Sequence, residues 1–300
     1  MNRDFLEDYR TIRAGGVGFR EEPRGLIEVS GKEAVQFLNG LVTNDVAKLE
    51  DGAQMSAAFP NAQGRLLAFV RVRRRGDKFL FETAETTHAK VFQNLYRFTF
   101  AGDFFVEDLS ENYRYFEVQC PKSRVQSPVD SIVFESKSGA DFFVPEAAAE
   151  NFRNELERAN AVEISDELYE VLRIENGAPL YGVDMDETTV VLETGLDEAV
   201  SFKKGCYIGQ EIIARIHFRG HVAKKLTGLI FEAESAAVNP GDEIKSAEGK
   251  NAGRITSVSF SPQLEKTIAL AYVRYDYLAA GTVLKVNDAA ARVKDLPFVE

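Results

Sequence analysis

The sequence predicts an α+β fold in which α/β units are followed by a small C-terminal β-barrel. Strand and helix signals alternate through the first 110 residues, and a second α+β stretch follows them. From residue 223 onward, short strands are separated at even spacing by Gly, Pro and Asn, as is typical of a closed barrel. We therefore predict one region over residues 1–220, with units at about 20–110 and 111–220, and a barrel over residues 221–300.

The first unit starts with an alternating, β-rich strand at Gly25–Ser30, whose last residue is placed to cap a helix over Gly31–Asn39. The next elements are a strand at Ala53–Phe59, a turn at Pro60–Gly64, strands at Arg65–Arg75 and Lys78–Thr83 around the tight turn Gly76-Asp77, a helix at Thr87–Thr99 and a strand at Phe104–Leu109. If the second hairpin strand is counted as an extension, the order is the β-α-β-β-α-β of a ferredoxin-like unit.

The second unit and the barrel are predicted from the same patterns. The second unit has strands at Tyr113–Cys120, Ser131–Glu135 and Asp141–Val144, and helices at Glu146–Ala159 and Asp166–Asn176, the latter with Ser165 as its N-cap. The predicted barrel strands are Lys225–Phe231, Asp242–Lys245, Gly253–Phe260, Thr267–Val273, Val283–Val286 and Ala290–Val293.

Composition and charge exclude several classes of protein. The chain carries 36 Lys and Arg against 47 Asp and Glu, so its net charge is −11, and an acidic chain is poorly suited to coat nucleic acid. No apolar run approaches the roughly 20 residues that span a bilayer, and the charged N-terminus lacks the apolar core of a signal peptide. Two cysteines, Cys120 and Cys206, cannot build a disulfide framework. We expect a cytoplasmic protein without a membrane partner.

Positive charge is concentrated in two short segments. Residues 201–225 carry six Lys and Arg against Glu211 alone, and residues 65–78 carry six against Asp77 alone, so each segment has a net charge of +5. Basic segments on an acidic chain favour a specific anionic ligand over a polyanion. For residues 71–75 the alternative is a surface strand that carries arginines without a ligand.

The segment Lys203–Glu211 is the densest candidate site. Gly205 and Gly209 allow close backbone approach, and a helix predicted over Ile208–Ile216 would direct its N-terminus at an anion. Cys206 follows two lysines near that helix start, which is a setting that favours the thiolate, so we predict a reactive, exposed thiol. The alternative is an inert, buried cysteine.

Glu175 continues the apolar stripe of the helix that begins at Asp166. A carboxylate on a core-facing stripe needs a partner. That partner is an arginine in one interpretation, whereas in another the helix end has reached solvent before Gly177. In the third, the partner is a planar heterocycle such as a pterin, whose ring N–H and amino group donate two parallel hydrogen bonds, with Tyr169 or Tyr181 as an aromatic neighbour.

His217 and His221 have the four-residue spacing of a metal-binding pair. Gly220 interrupts the helix that would align them, and the sequence offers no obvious third ligand apart from Cys206. We therefore predict no metal site.

The segment Lys204–Glu211 reads K-G-C-Y-I-G-Q-E and resembles the signature of the folate-binding YgfZ family. That family is related to the T-protein, the aminomethyltransferase of the glycine cleavage system. Residues 37–46, the turn at 61–65, residues 173–179 and the C-terminal strands are also similar to the family, so the resemblance covers nearly the whole chain.

The resemblance implies a central cavity that binds tetrahydrofolate or a one-carbon derivative and is surrounded by ferredoxin-like units. It also implies a role in the assembly or maintenance of iron–sulfur enzymes, and through them in tRNA modification, with Cys206 as the functional thiol. Glu175 falls at the pterin-binding glutamate of T-protein relatives, Tyr169 at an aromatic near the folate, and Arg24 replaces another such aromatic. The predicted cofactor-binding set is completed by Arg173, Lys204, Tyr207 and Gln210.

One departure from the T-protein pattern bears on activity. T-proteins carry an Asp-Asp pair after the glycine turn, whereas this chain has Ala68 and Phe69 there, and neither side chain can transfer a proton. We therefore expect a folate-binding protein that supports iron–sulfur enzymes and has folate, iron–sulfur enzymes or assembly factors as partners, without direct binding of nucleic acid. The alternative is a folate-dependent aminomethyl or methyl transferase that acts on another substrate.

Overall fold

A computed structural model describes residues 3–100, 102–120, 125–136, 138–234 and 236–299. These residues form two compact units. Unit 1 comprises Met1–Phe59, Leu67–Leu168 and Lys203–Tyr207, and unit 2 comprises Pro60–Leu66, Tyr169–Phe202 and Ile208–Glu300. Residues 169–202 therefore group with the barrel, whereas the sequence pattern predicted a boundary near residue 220. Within the described ranges, the helices are all too short or too polar to cross a membrane.

The helices of the described residues are α1 (Arg3–Arg13), α2 (Ala34–Leu41), α3 (Glu85–Tyr96), α4 (Glu146–Arg158), α5 (Asp166–Glu175) and α6 (Gln210–Arg219). The strands before α5 are β1 (Gly18–Glu21), β2 (Arg24–Ser30), β3 (Gln54–Pro60), β4 (Leu66–Arg75), β5 (Lys78–Ala84), β6 (Phe105–Asp108), β7 (Tyr113–Gln119), β8 (Ile132–Glu135), β9 (Gly139–Pro145) and β10 (Val162–Glu163). The strands after α6 are β11 (Lys224–Phe231), β12 (Glu243–Lys245), β13 (Asn251–Ser261), β14 (Lys266–Arg274), β15 (Val283–Val286) and β16 (Ala289–Lys294).

One sheet of unit 1 is formed by the first predicted α/β segment, in the strand order β3-β4-β5-β2-β6. β2 pairs antiparallel with both β5 and β6, and β4 pairs antiparallel with β5. The predicted cap at Ser30 is wrong, because Ser30 is the last residue of β2 and pairs with Phe105. Glu33 instead precedes α2, without a side-chain cap bond.

The second sheet of unit 1 has the order β10-β1-β7-β9-β8. β1 comes from the N-terminal segment and pairs parallel with β10 and antiparallel with β7. On one face of this sheet, Phe116 and Phe142 pack against Phe152 of α4. The sequence pattern did not indicate β1 or β10, because strands of two to four residues are too short to show a period. The prediction also missed α1, although its buried Phe5, Tyr9 and Ile12 recur at helical spacing.

The opposite face of this second sheet packs on the first sheet. Leu26 and Leu80 of the first sheet form one apolar cluster with Tyr115, Phe134 and Phe143 of the second. Side chains alternate between the two faces of a strand, so every second residue of β4, β5, β7 and β9 points into this layer. The charged residues described below lie in the same layer.

Unit 2 contains the predicted barrel, a closed sheet in the order β11-β14-β13-β12-β15-β16. Its interior is apolar, with Leu229, Ile244, Ile255 and Val273 all buried. Outside the barrel, Ile174 of α5 packs on a cluster that includes Leu226, Tyr272 and Phe298. The α+β class with a C-terminal barrel is confirmed. The predicted N-cap of α5 is also confirmed, since Ser165 Oγ accepts the Leu168 amide at 3.3 Å.

Candidate functional site

Lys204 is fixed by the C-terminal end of α2. Its ammonium donates hydrogen bonds to the carbonyl oxygens of Asn39, Val42 and Asn44, at 2.9, 2.7 and 2.6 Å. These three acceptors use all three donors of the ammonium, and the carbonyl end of a helix favours a cation. Burial lowers the pKa of Lys204 to about 8, and the charge of Asp45 opposes this fall. Lys204 thus anchors its loop, and its role in binding folate stays a prediction.

Cys206 lies two residues beyond this anchor and presents a free, exposed thiol. The next residue, Tyr207, is buried, and its ring centre lies 5.1 Å from Nζ of Lys204. Burial raises the pKa of the Tyr207 hydroxyl to about 12. The thiol is therefore presented to solvent between two fixed side chains. The alternative of a buried cysteine is wrong, whereas the reactivity of the thiol stays a prediction.

In unit 2, the start of α6 lies against the turn that begins at Asn61. Gly209 has a positive φ of 80°, and a Cβ added there would lie 2.3 Å from the Asn61 carbonyl oxygen. Gly64 closes the turn by donating its amide to the same oxygen at 2.9 Å. Only glycine permits this approach of two backbones. The structure thus brings together two segments that the sequence singled out, and half-buried Gln210 begins the helix, two residues later than predicted.

Glu175 ends α5 and is fully buried, at 0% exposure. Its Oε1 accepts a hydrogen bond from Ser261 Oγ, and its main-chain oxygen accepts the Phe298 amide at 2.8 Å. The interpretation that this helix end reaches solvent is therefore wrong. Tyr169 lies on the same helix and is half-buried. A buried carboxylate oriented by a serine has the chemistry to accept N–H groups of a heterocycle.

Arg173 is buried, and protein groups hold all three nitrogens of its guanidinium. It forms two parallel bonds with Glu170, at 2.6 and 2.7 Å, and an ion pair with Asp184 at 2.9 Å. Ser257 Oγ and the Ala178 carbonyl accept further bonds, at 2.9 and 3.3 Å. These contacts support a structural role for Arg173, and its role as a folate ligand stays a prediction.

Arg24 belongs to a charged cluster between the two sheets of unit 1. Its Nε lies 2.8 Å from Glu22 and its Nη1 lies 3.1 Å from Glu82. Its guanidinium lies 5.4 Å from the ring centre of Tyr115. Where the resemblance places an aromatic side chain, this protein therefore has an ion-paired arginine, and the cofactor-binding role of Arg24 stays a prediction.

The sequence pattern did not identify the rest of this cluster. Arg71 bonds to Glu82 at 2.9 Å and also to Asp141, and its Nη2 lies 3.5 Å from the Tyr115 hydroxyl. For Arg71, the interpretation as a surface strand residue is therefore wrong. One signal was present for the two acids, because the residues two positions before and after Glu82 and Asp141 along their strands are uncharged and mainly apolar. Arg71 alternates with Phe69 and Arg73 and gave no such signal.

The pKa values of the carboxylates in this cluster are shifted in different directions. Burial alone favours the neutral acid, but the charges of Arg71 and Arg24 hold the pKa of Glu82 below its ordinary value. Burial raises the pKa of Asp141, against the opposing charge of Arg71. Burial and the charge of Asp141 raise the pKa of Glu117 to about 7. Glu117 therefore changes charge near neutral pH.

A pocket of about 800 Å³ opens beside the cluster, with Arg24 and Tyr115 in its wall. Arg114 and Arg153 also line it, and both pair with Glu21, at 2.5 and 3.0 Å. Charged side chains line much of the wall and are largely paired with one another beside apolar surface, so the pocket suits a small molecule that has both apolar and polar groups.

His217 and His221 face different aromatic partners. His217 stacks on Phe202 at 3.6 Å between ring centres, and His221 stacks on Tyr275 at 3.7 Å. Among the residues that the structure describes, no group of three His, Cys, Asp or Glu side chains is placed to hold a metal ion.

Two family models match the chain. Residues 4–126 match the GCVT N-terminal domain, and residues 224–300 match the glycine cleavage T-protein C-terminal barrel domain. Together with the fold, these matches show that the chain has an aminomethyltransferase-like architecture built from the two T-protein domains. The relation to the T-protein is confirmed at this level, and the narrower resemblance to the YgfZ signature stays a proposal.

The chain is similar to proteins of two kinds. An aminomethyltransferase of Rubrobacter xylanophilus is 28% identical over 319 residues, which cover 97% of this chain and 85% of the relative. A mitochondrial iron–sulfur cluster assembly factor IBA57 homolog of Mycosarcoma maydis is 31% identical over 231 residues, which cover 69% of this chain and 55% of the relative. The crystal structure of glycine cleavage system aminomethyltransferase T from Bartonella henselae has the same fold, with a TM-score of 0.88 over 99% of this chain and 90% of that one, at 21% identity.

Proposed function

We propose that this protein binds tetrahydrofolate, or a one-carbon derivative of it, and supports iron–sulfur enzymes through the thiol of Cys206. The observation that carries the proposal is the exposure of Cys206 on a loop fixed by Lys204 and Tyr207. A thiolate is the side-chain group that ligates iron in clusters and exchanges sulfur. The similarity to an iron–sulfur cluster assembly factor supports this role, which would affect tRNA modification indirectly.

Glu175 supports the folate part of the proposal. Its buried carboxylate, oriented by Ser261, fits the ring N–H and amino group of a pterin, and Tyr169 on the same helix would contact the ring. When bound at this site, tetrahydrofolate would supply a carrier for one-carbon units. Protein acceptors use the donors of Arg173 and Lys204 in this structure, so either residue would have to exchange a protein partner for the glutamate tail of the folate. Other cations would bind the tail without that exchange.

A one-carbon transferase is the second candidate. It is favoured by the relatives named aminomethyltransferase, one of which matches 97% of this chain. Ala68 is buried and Phe69 is half-buried on β4, and neither offers an ionisable group where the T-protein resemblance places aspartates. The transferase would have to take its proton chemistry from another residue, so we rank it second.

Genetic complementation tests the thiol role. A deletion strain of the native host would be complemented with the wild type, Cys206→Ser or Cys120→Ser, and the activities of several iron–sulfur enzymes would be measured. Cys206→Ser should fail to restore them, whereas Cys120→Ser, which changes the half-buried cysteine, should restore them. Full restoration by Cys206→Ser would overturn the thiol role.

Calorimetric titration with tetrahydrofolate tests the pterin site. Glu175→Gln should weaken binding at least about tenfold, because an amide cannot accept two parallel N–H bonds as a carboxylate does. Glu167→Gln, on an exposed position of the same helix, is the matched control and should bind like the wild type. Equal affinity of Glu175→Gln and the wild type would contradict the pterin site. Catalytic turnover of a methylene adduct of the folate would favour the transferase.

A further inference from the structure

An exposed aromatic cluster lies at the end of α6. Phe218 is 67% exposed, and its ring meets Phe202 edge-on at 5.9 Å and His217 edge-on at 4.7 Å. His217 is itself exposed and stacks on Phe202. Exposed rings that lie against one another form an apolar patch of the kind that marks interaction sites, unlike singly exposed rings, and rings that brace each other keep one orientation.

A second stack follows four residues later, where the chain enters the barrel. His221 and Tyr275 lie parallel, at an angle of 10°, and Tyr275 is 48% exposed. Beside this stack, Lys224 on β11 is the direct partner of Arg274 on β14. The ammonium of Lys224 lies over the ring of Tyr272, 4.7 Å from the ring centre, so within the described ranges Arg274 is the cation of this pair that remains exposed without an aromatic or acidic partner.

Three arginines of this surface lack ion-pair partners among the described residues, whereas Lys224 lies within electrostatic range of Asp186 and Glu193. Residues 212–231 contain no Asp or Glu, and Arg215, Arg219 and Arg274 are all exposed. In the part of the chain that the structure describes, no ion pair involves any of these three arginines. Asp276, next to Tyr275, is a nearby acid on the barrel side. Together with Phe202, His217, Phe218, His221, Lys224 and Tyr275, the three arginines define what we name the aromatic–cationic surface.

We propose that the aromatic–cationic surface docks an acidic segment of a partner protein. Arginine and tyrosine are among the residues that contribute most to the binding energy of protein interfaces, phenylalanine is enriched there, and arginine pairs with carboxylates through two parallel bonds. Apolar side chains of the partner contact Phe218 and Tyr275, while its carboxylates meet the arginines. The inference goes beyond the proposed thiol and folate chemistry and does not depend on either.

A nucleic acid is the less suitable occupant, although exposed rings and cations also occur in single-strand binding sites. A strand of nucleic acid extends over many nucleotides, and beyond this surface it would meet a chain whose net charge is −11. A short protein segment would contact only the aromatic–cationic surface and would not extend over the acidic remainder of the chain. Salt screens charges over about 8 Å at physiological ionic strength, so a short acidic segment responds to the local cations and not to the whole chain.

Fluorescence anisotropy with defined probes tests the proposal. The probe is a labelled 14-residue peptide of Glu and Asp that contains two Leu and one Tyr. The first control peptide has Gln and Asn in place of the acids, and the second control probe is a labelled 12-nucleotide oligouridylate. The wild type at 150 mM salt should bind the acidic peptide at least about tenfold more tightly than either control. Equal binding of the acidic and amide peptides, or tighter binding of the oligouridylate, would overturn the proposal.

Surface variants with matched controls locate the binding. Arg219→Glu and Phe218→Ala should each weaken binding of the acidic peptide about tenfold. Lys250→Glu, an equal charge reversal elsewhere on the barrel, and Phe260→Ala, a partly exposed aromatic of β13, should change it less than about twofold. Equal losses in the control variants would overturn the assignment to this surface. Thermal melts of the four variants confirm that each is folded, and Cys206→Ser should bind the peptide like the wild type.

Discussion

The two units of this protein hold a buried arginine in different ways. In unit 2, Arg173 faces Asp184, a buried carboxylate with every oxygen engaged. Oδ2 of Asp184 also accepts the Leu180 amide at 2.9 Å. Oδ1 accepts the hydroxyls of Thr256 and Ser257, at 2.6 and 2.7 Å.

In unit 1, by contrast, one of the two acids that Arg71 holds is incompletely bonded. Arg71 bonds to both Glu82 and Asp141, and in the described part of the chain Oδ1 of Asp141 is buried without a hydrogen-bond partner. Glu117, in the same layer, has a pKa of about 7. A buried charge is stable when its lone pairs are satisfied, and incomplete satisfaction leaves its protonation open to change. The network of unit 2 is therefore a structural clamp, whereas that of unit 1 responds to pH.

The largest expected effect comes from Arg71→Met. The substitution leaves Asp141 without a cation in the layer between the sheets and leaves Glu82 with Arg24 alone, so the free energy of unfolding should fall by about 3–5 kcal/mol. Urea unfolding at pH 7 measures it. A loss below about 1 kcal/mol would contradict the view that this layer excludes water.

Arg173→Met should have a smaller effect, of about 2–3 kcal/mol in the same assay. Asp184 keeps its bonds from Leu180, Thr256 and Ser257 after the substitution, and these donors offset part of the lost charge. If Arg173→Met cost more than Arg71→Met, the difference that we draw between the two networks would be wrong.

Glu117 should make stability depend on pH. Its pKa rises from the ordinary 4.5 to about 7 in the folded protein, so the folded state binds more protons than the unfolded state between these values. The favourable contribution of Glu117 to the free energy of unfolding is complete below about pH 4.5, and it is lost as the pH rises through about 7. Between pH 5 and pH 8, the free energy of unfolding should therefore fall further in the wild type than in Glu117→Gln, and the difference should be about 1–2 kcal/mol. Glu111→Gln, at an exposed site of unit 1, should leave the profile unchanged.

The smallest effect is expected at an exposed pair of unit 2. Asp197 lies 2.9 Å from Lys225, and its side chain is largely exposed. Because water and salt screen such a pair, Asp197→Ala should change the free energy of unfolding by less than about 0.5 kcal/mol. A loss as large as that of Arg173→Met would show that exposed and buried ion pairs contribute equally to the stability of this protein.

The predictions from sequence succeeded where the signal is local. The helix predicted at Glu146–Ala159 is observed at Glu146–Arg158, and the strand predicted at Val283–Val286 has the same bounds in the structure. Side-chain periodicity and turn residues act over a few positions, so they can be read in one segment. β1 could not be found this way, because it is a short strand that pairs with β7 and β10, about 100 and 140 residues later.

For the candidate site the same limit holds. The apolar stripe of α5 singled out Glu175 and left three interpretations open, of which the structure excludes the solvent-exposed one, and the Lys-Gly-Cys-Tyr segment indicated an exposed thiol at Cys206. The sequence did not show that carbonyls of residues 39–44 take the donors of Lys204, or that Asp184 takes those of Arg173. Cations look alike in a sequence whether their partner is a ligand or the protein itself.

The sequence alone determined the α+β class, the barrel at the C-terminus and the placing of Cys206 in a basic, glycine-containing segment, because each follows from residues close together in the chain. The tertiary structure decided which charges are used internally. It joined Arg71 to Glu82 and Asp141 across two sheets, and it left Arg219 and Arg274 exposed beside Phe218 and Tyr275. Charges act through space and not along the chain, so only the fold determines which of them remain available to a partner.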